Sequence, residues 1–224
     1  MSPIDPRPTG NPPQPSEPGW LEARTLEIPR VAYEPRDFAD ILRARRSSRL
    51  TETATLSEVA SVVREALKTD FIGTGSHQGR KLKRVVSAGA LHPVKCAIID
   101  PDGYTVVYDD GKDEFLAVKP RDPDLLAEGL LNCASVLSSA RGHVISLMAD
   151  TRTTSSVYSN PASLLWRDAG AVLQTLALVS ETFDLGFCPL GILGQELTDA
   201  LLPKDHQFLA VGVAVIGRPT AEQD

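Results

Sequence analysis

The 224-residue chain has too few cysteines for a disulfide framework, too little positive charge for a nucleic-acid binder, and no apolar run long enough for a bilayer. Its three cysteines, Cys96, Cys133 and Cys188, are odd in number and widely spaced among apolar neighbours. That pattern points to buried free thiols in a reducing cytoplasm. The four histidines show no ligand spacing with one another or with the cysteines, so no zinc site is expected. A formal net charge of −6 argues against nucleic acid as the main partner, because counterion release rewards a basic surface. The most apolar stretch, Leu164 to Val179, is interrupted by Arg167, Asp168 and Gln174 and falls short of the roughly 20 residues a membrane helix needs. The chain start lacks a basic segment followed by an apolar core, so neither a secretory signal nor a membrane partner is expected. No Gly-x-Gly-x-x-Gly joins a strand to a helix, which disfavours a dinucleotide-binding unit.

What is present suits one domain. Residues 1–19 hold seven of the 17 prolines and little apolar periodicity, which predicts a disordered leader ahead of a single domain over 20–224. Phe38, Ile41 and Leu42 have helical spacing, and Thr55-Leu56-Ser57-Glu58 is a capping-box pattern opening a helix to about Lys68. The glycine-rich stretch Thr69 to Arg84 reads as a flexible loop. Strands are predicted at Pro93–Ile99, Gly103–Tyr108, Glu114–Val118, Gly142–Ala149 and Phe208–Ile216. Between them come a helix from Asp122 or Asp124 to Ser135 and a short helix over Gly194–Leu202. A long helix from an Asn160-Pro161 start to about Phe183 is apolar on almost every face, which predicts burial on all sides with a second subunit as cover. Strands and helices mixed without regular alternation indicate an α+β fold.

Two basic clusters stand out in this acidic chain: Arg43, Arg45, Arg46 and Arg49, and Arg80, Lys81, Lys83 and Arg84. Each is either a local anion site or a solvated surface stretch. Paired guanidinium groups beside the short hydroxyls of Ser47 and Ser48 suit bidentate recognition of an oxyanion. Ser87-Ala88-Gly89 joins a hydroxyl to small residues that let a backbone lie close to a flat ligand. Cys188-Pro189-Leu190-Gly191 follows the long helix.

Three landmarks in this order, Arg45-Arg46-Ser47-Ser48-Arg49, Val86-Ser87-Ala88-Gly89-Ala90-Leu91-His92-Pro93, and Arg167-Asp168-Ala169-Gly170 with Cys188-Pro189-Leu190-Gly191, resemble those of SagB-type dehydrogenases, a branch of the FMN-dependent nitroreductases. The resemblance spans roughly Asp37 to Arg218. It implies a nitroreductase-like homodimer with a central mixed or antiparallel sheet, and FMN held by Arg45, Arg46, Ser47 and Arg49. It also implies that Ser87, Ala88 and Gly89 reach the flavin of the opposite subunit, and that Pro189, Leu190 and Gly191 lie against the flavin face and offer an amide toward N5. Arg218 is the one further phosphate candidate near the C-terminus.

The implied activity is dehydrogenation in natural-product biosynthesis, azoline to azole on a peptide or carrier-bound substrate being one form. Biosynthetic partner enzymes would accompany it. Ring-oxidising relatives carry a Lys-Tyr pair ahead of the long helix. Here Tyr158 is retained as the catalytic candidate while Val157 stands in the lysine's place. Two other readings stay open: an NAD(P)H-dependent reductase of nitroaromatics or quinones, and a flavin-free docking subunit of a biosynthetic complex.

Overall fold

The computed structural model describes residues 4–75, 78–204 and 207–220. In chain order its elements are β1 (Arg7–Pro8), β2 (Arg24–Leu26), α1 (Phe38–Ala44), β3 (Thr51–Glu52), α2 (Leu56–Leu67), β4 (Thr69–Ile72) and β5 (Lys81–Lys83). These are followed by β6 (Val94–Ile99), β7 (Thr105–Asp109), β8 (Glu114–Val118), α3 (Pro123–Val136), β9 (His143–Asp150), α4 (Thr151–Val157) and β10 (Tyr158–Ser159). The last are α5 (Ala162–Thr182), β11 (Gly186–Pro189), α6 (Gln195–Leu201) and β12 (Phe208–Pro219).

The main sheet runs β11-β12-β9-β6-β7-β8-β2, with β3 also on β12, and each of these pairings is antiparallel. Its central strands read as near-continuous apolar runs, broken by Lys95 on β6 and Ser146 on β9, because both faces are covered. On β9, Ile145, Leu147 and Ala149 enter the core shared with α2 and α5, while Val144 and Met148 enter the core shared with α3 and α6. Alternate residues of β6 divide the same way: Cys96 and Ile98 on one side, Ala97 and Ile99 on the other. Gly129 lets α3 approach α6 closely, since a β-carbon there would stand 2.5 Å from Leu197 Cδ2. All three cysteines are buried free thiols. Among the described residues no helix is long and apolar enough to cross a membrane.

The helix-start signals hold at α2 and α3. Thr55 accepts from the Glu58 amide while the Glu58 carboxylate accepts from the Thr55 amide, completing the capping box of α2. Asp37 caps α1 and Asp122 caps α3. At α5 the expected Asn160 cap is replaced. Pro161 is the N-cap, no side chain caps the helix, and Asn160 takes a left-handed φ of 55°.

Two expectations are corrected. The stretch after α2 is an antiparallel hairpin, β4 against β5, in place of a flexible loop. Its glycines lie in the connection, where Gly75 and Gly79 have φ of 61° and 75°. Helix α5 keeps one face open within a single chain, the face for which a second subunit is expected as cover: Trp166 is 43% exposed, and Gly170 and Gln174 share that face.

Second, the leader from Ile4 to Gly19 is laid along the domain. Strand β1 pairs with β10, matching Arg7 to Ser159 and Pro8 to Tyr158. The Thr9 amide donates to Val157 O at 2.8 Å, and the Gln14 amide donates to Ser156 Oγ at 3.0 Å. Ser16 is buried and donates to Asp150 through its amide at 2.6 Å and its hydroxyl at 2.9 Å. Composition misses this anchor because one carboxylate 134 residues away supplies it.

Asp150 closes β9 and opens α4. Besides Ser16 it accepts from the amides of Arg152 and Thr153 and from Thr153 Oγ1. Asp150→Ala should therefore cost about 3 kcal/mol, by leaving buried donors unpaired and removing a helix cap. Urea unfolding of wild type and variant measures this, and limited proteolysis should show the variant cut faster within residues 4–15.

Candidate functional site

The arginine segment begins where α1 stops. Arg45 takes an extended ψ of 119°, and its amide closes the helix on Ile41 O. The chain then runs along β11, the edge strand of the main sheet: Ser47 bridges to Phe187, and the Ser48 amide donates to Phe187 O at 3.2 Å. Gly186 permits this approach, since a β-carbon there would stand 2.6 Å from Ser48 Cβ. Arg46, Ser47 and Arg49 are exposed and Arg45 is half-buried. The Arg46 guanidinium donates to the carbonyls of Arg43 and Arg45, at 2.5 and 3.0 Å. Arg49 lies near enough to Cys188 to pull its thiol pKa down, though burial wins and holds it above the ordinary value.

Thus the Arg45–Arg49 segment and the Cys188–Gly191 part of the third landmark meet at one sheet edge. Beside them, the Leu190 amide donates to Val213 O at 2.8 Å and is committed to the backbone. Gly191 is exposed, with nothing within 4 Å of the position a β-carbon would take. Among the described residues, its amide has no backbone acceptor, in the segment expected to face a flavin. Arg218 lies on β12 opposite Glu52, but its guanidinium is held by Glu58 at 2.5 Å. That pairing draws it away from a phosphate role.

The second landmark is built elsewhere. Ser87 Oγ donates to Asp168 Oδ2 at 2.5 Å and the Ala88 amide to Asp168 Oδ1 at 3.1 Å, which pins the loop to α5. Burial raises the Asp168 pKa, while Ser87, Ala88 and Arg167 work to lower it. Ser87 Oγ in turn accepts from the His92 amide at 2.9 Å. The short turn so held carries positive φ at Gly89 (61°), Ala90 (53°) and His92 (47°). Alanine and histidine rarely adopt this region, so the loop is strained into its shape.

Gly89 is required where it stands. A β-carbon there would come within 2.9 Å of both Arg80 Nη1 and Tyr158 Oη. The Arg80 guanidinium donates to the Gly89 carbonyl. Tyr158 and the Ser87–Gly89 loop are therefore neighbours, as a shared site needs. Val157, in the place of the relatives' lysine, is buried at 6% exposure.

Among the described residues, no hydrogen bond or bridge joins the Arg45–Arg49 and Cys188–Gly191 cluster to the Ser87–Gly89, Asp168 and Tyr158 cluster. The sequence reading does not find Arg80 as the clamp of Gly89. The only signal was its membership of a basic run.

No protein-family model matches the chain, and no curated protein matches its sequence significantly. Solved structures do share the fold. A protein described as a putative nitroreductase from Ralstonia eutropha JMP134 is 16% identical, with a TM-score of 0.63 over 97% of this chain and 100% of that one. A putative nitroreductase from Desulfovibrio desulfuricans in complex with FMN is 16% identical, with a TM-score of 0.53 over 84% of this chain and 89% of that one. A chain of the Escherichia coli microcin synthetase McbBCD complex with truncated pro-MccB17 bound is 11% identical, with a TM-score of 0.57 over 88% of this chain and 79% of that one. The fold is α+β and nitroreductase-like, with a central antiparallel sheet and flanking helices.

His92 gives this loop a pH signature. Burial and the Lys83 charge push its pKa down to about 4, against the pull of Asp110, and burial also lowers that of His143. A depressed histidine pKa means that the unfolded chain binds more protons below its own value, about 6.5. The stability each contributes is complete above that pH and is lost as the pH falls toward the folded value. Unfolding free energy should therefore drop between pH 7 and pH 5. His92→Asn, which tolerates the left-handed backbone, should flatten part of that slope in urea titrations at the two pH values. An unchanged slope would remove His92 as a cause.

Proposed function

We propose that the chain is one subunit of a homodimeric, FMN-dependent oxidoreductase of the SagB type, acting as a dehydrogenase in natural-product biosynthesis on a peptide or carrier-bound substrate. One observation carries this reading. The residues expected to touch one flavin form two separate clusters, each rigidly held, on a nitroreductase-like fold. A flavin shared between the first cluster of one protomer and the second cluster of its partner would use both. The exposed apolar residues Phe38, Leu42 and Trp166, on the packed pair α1 and α5, give that partner a surface.

The residues present fit FMN. Arg45, Arg46 and Arg49 supply clustered guanidinium groups at an exposed edge, suited to a phosphate. Gly191 leaves open space and a backbone amide beside Pro189 and Leu190. The Ser87–Gly89 turn offers a backbone stripped of side-chain bulk. When bound, FMN supplies the hydride acceptor that no amino-acid side chain provides. The chain's own part in the chemistry is to orient substrate and to move a proton, for which Tyr158 Oη at the Gly89 turn is the candidate. With Val157 buried, a lysine base is missing from this place, so substrates with a more acidic proton than an azoline suit the site better.

The microcin synthetase likeness supports a place among biosynthetic partner enzymes, and it also keeps the flavin-free docking reading in view. Arg49→Ala should lower FMN affinity roughly tenfold or more, the loss expected for one charge-assisted contact, with the circular dichroism spectrum unchanged. Purified variant that keeps full flavin absorbance would contradict the assignment of this edge. Wild type that stays colourless and takes up no FMN would favour the docking reading. Fast bleaching of bound flavin by NADPH in an anaerobic stopped-flow mix would instead favour a reductase.

A further inference from the structure

The second basic cluster is not a solvated stretch. Lys83 is 3% exposed through its side chain, and its ammonium, those of Lys81 and Lys95, and the carboxylate of Asp110 form one knot. Lys81 Nζ and Lys83 Nζ each stand 2.8 Å from Asp110 Oδ2, and Lys95 Nζ stands 3.5 Å from Oδ1. Burial lowers the Lys83 pKa to about 8, against the attraction of Asp110. Burial works to raise the Asp110 pKa, but Lys83, Lys95 and Lys81 hold it below the usual carboxylate range. One carboxylate thus faces three ammonium groups. Lys83 is the most deeply buried of them, and Lys81 and Lys95 keep part of their side chains open, at 34% and 26% exposure.

Both of those lysines line a cavity of about 520 Å³. Arg80 and His92 share its wall, while Pro12, Pro13 and Pro15 of the leader form an apolar side. Asp150 is the carboxylate on this wall, and its oxygens already accept from Ser16, Arg152 and Thr153. Among the described residues, the cavity lining therefore carries three cations, one saturated carboxylate and the His92 imidazole. Enclosed cations with unmatched charge favour an anion from solution.

From this geometry we infer that the cavity between the leader and the β5–β6 lysines binds a small organic anion, its carboxylate or phosphate group seated on Lys81 and Lys95 and its apolar body against the leader prolines. The site is distinct from the Arg45–Arg49 edge and does not rest on the flavin reading. It also gives the leader a purpose: its hydrogen bonds to α4 and Asp150 hold one wall of the cavity in place.

The test titrates the full-length protein with inorganic phosphate and, separately, with succinate, at constant ionic strength, by calorimetry. Saturable binding of either is expected, and the tighter of the two identifies the anionic group as phosphate or carboxylate. Lys81→Gln and Lys95→Gln should each weaken that binding roughly tenfold. Lys119→Gln, which alters an exposed pair with Glu22, should leave it unchanged. Flavin absorbance should stay at the wild-type level in all three variants, and Arg49→Ala should keep the anion binding. Absence of saturable binding by either probe at tens of millimolar would overturn the inference. Binding that survives both cavity variants, or that disappears with Arg49→Ala, would overturn it equally.

Discussion

Two buried carboxylates do most of the positioning in this molecule. Asp150 ends the central strand β9 with its charge inside the protein and gathers donors from the leader, from the first turn of α4 and from Thr153. Such a charge is tolerable only when its oxygens are occupied, so the elements that supply those donors are fixed relative to the sheet. Asp168 does the same from α5 for the Ser87–Ala88 turn. Between them they set the leader, α4, Tyr158 and the strained loop around one region of the surface. The apolar core explains why the sheet and helices pack. The carboxylates explain where the polar segments go.

The layout of the candidate site follows from that division. The sheet edge at β11 places the arginine segment and Gly191 together, and the Asp168 clamp places the Ser87–Gly89 turn with Tyr158. Each cluster is complete in its own contacts, and neither has the full set of groups a flavin uses. The proposed dimer would reconcile them by closing on the open apolar face of α1 and α5. The lysine-lined cavity beside the turn adds a charged chamber whose outer wall is the leader.

Much of this was legible in the sequence because local rules wrote it. The capping box at Thr55, the cap at Asp122, and the doubly apolar runs of β6 and β9 each carry their own signal. The missed elements lack one. Helix α4 is Thr-Arg-Thr-Thr-Ser-Ser-Val, with no apolar period, and forms on the Asp150 cap. Strand β11 is four residues long and ends in proline, and it is defined by its partner β12. The β4–β5 hairpin looks like a glycine-rich loop, and the leader is placed by hydrogen bonds to residues over a hundred positions away. The arginine edge and the Ser87–Gly89 turn were found as motifs. Arg80 as a clamp and the lysine knot on Asp110 needed three dimensions.

The claim on which the functional account turns is that two copies of this chain together hold flavin. A native mass spectrum of the purified protein supplemented with FMN reads both parts at once. The account predicts a dimer carrying two FMN molecules. A monomer carrying FMN, or a dimer that takes up none, would contradict it.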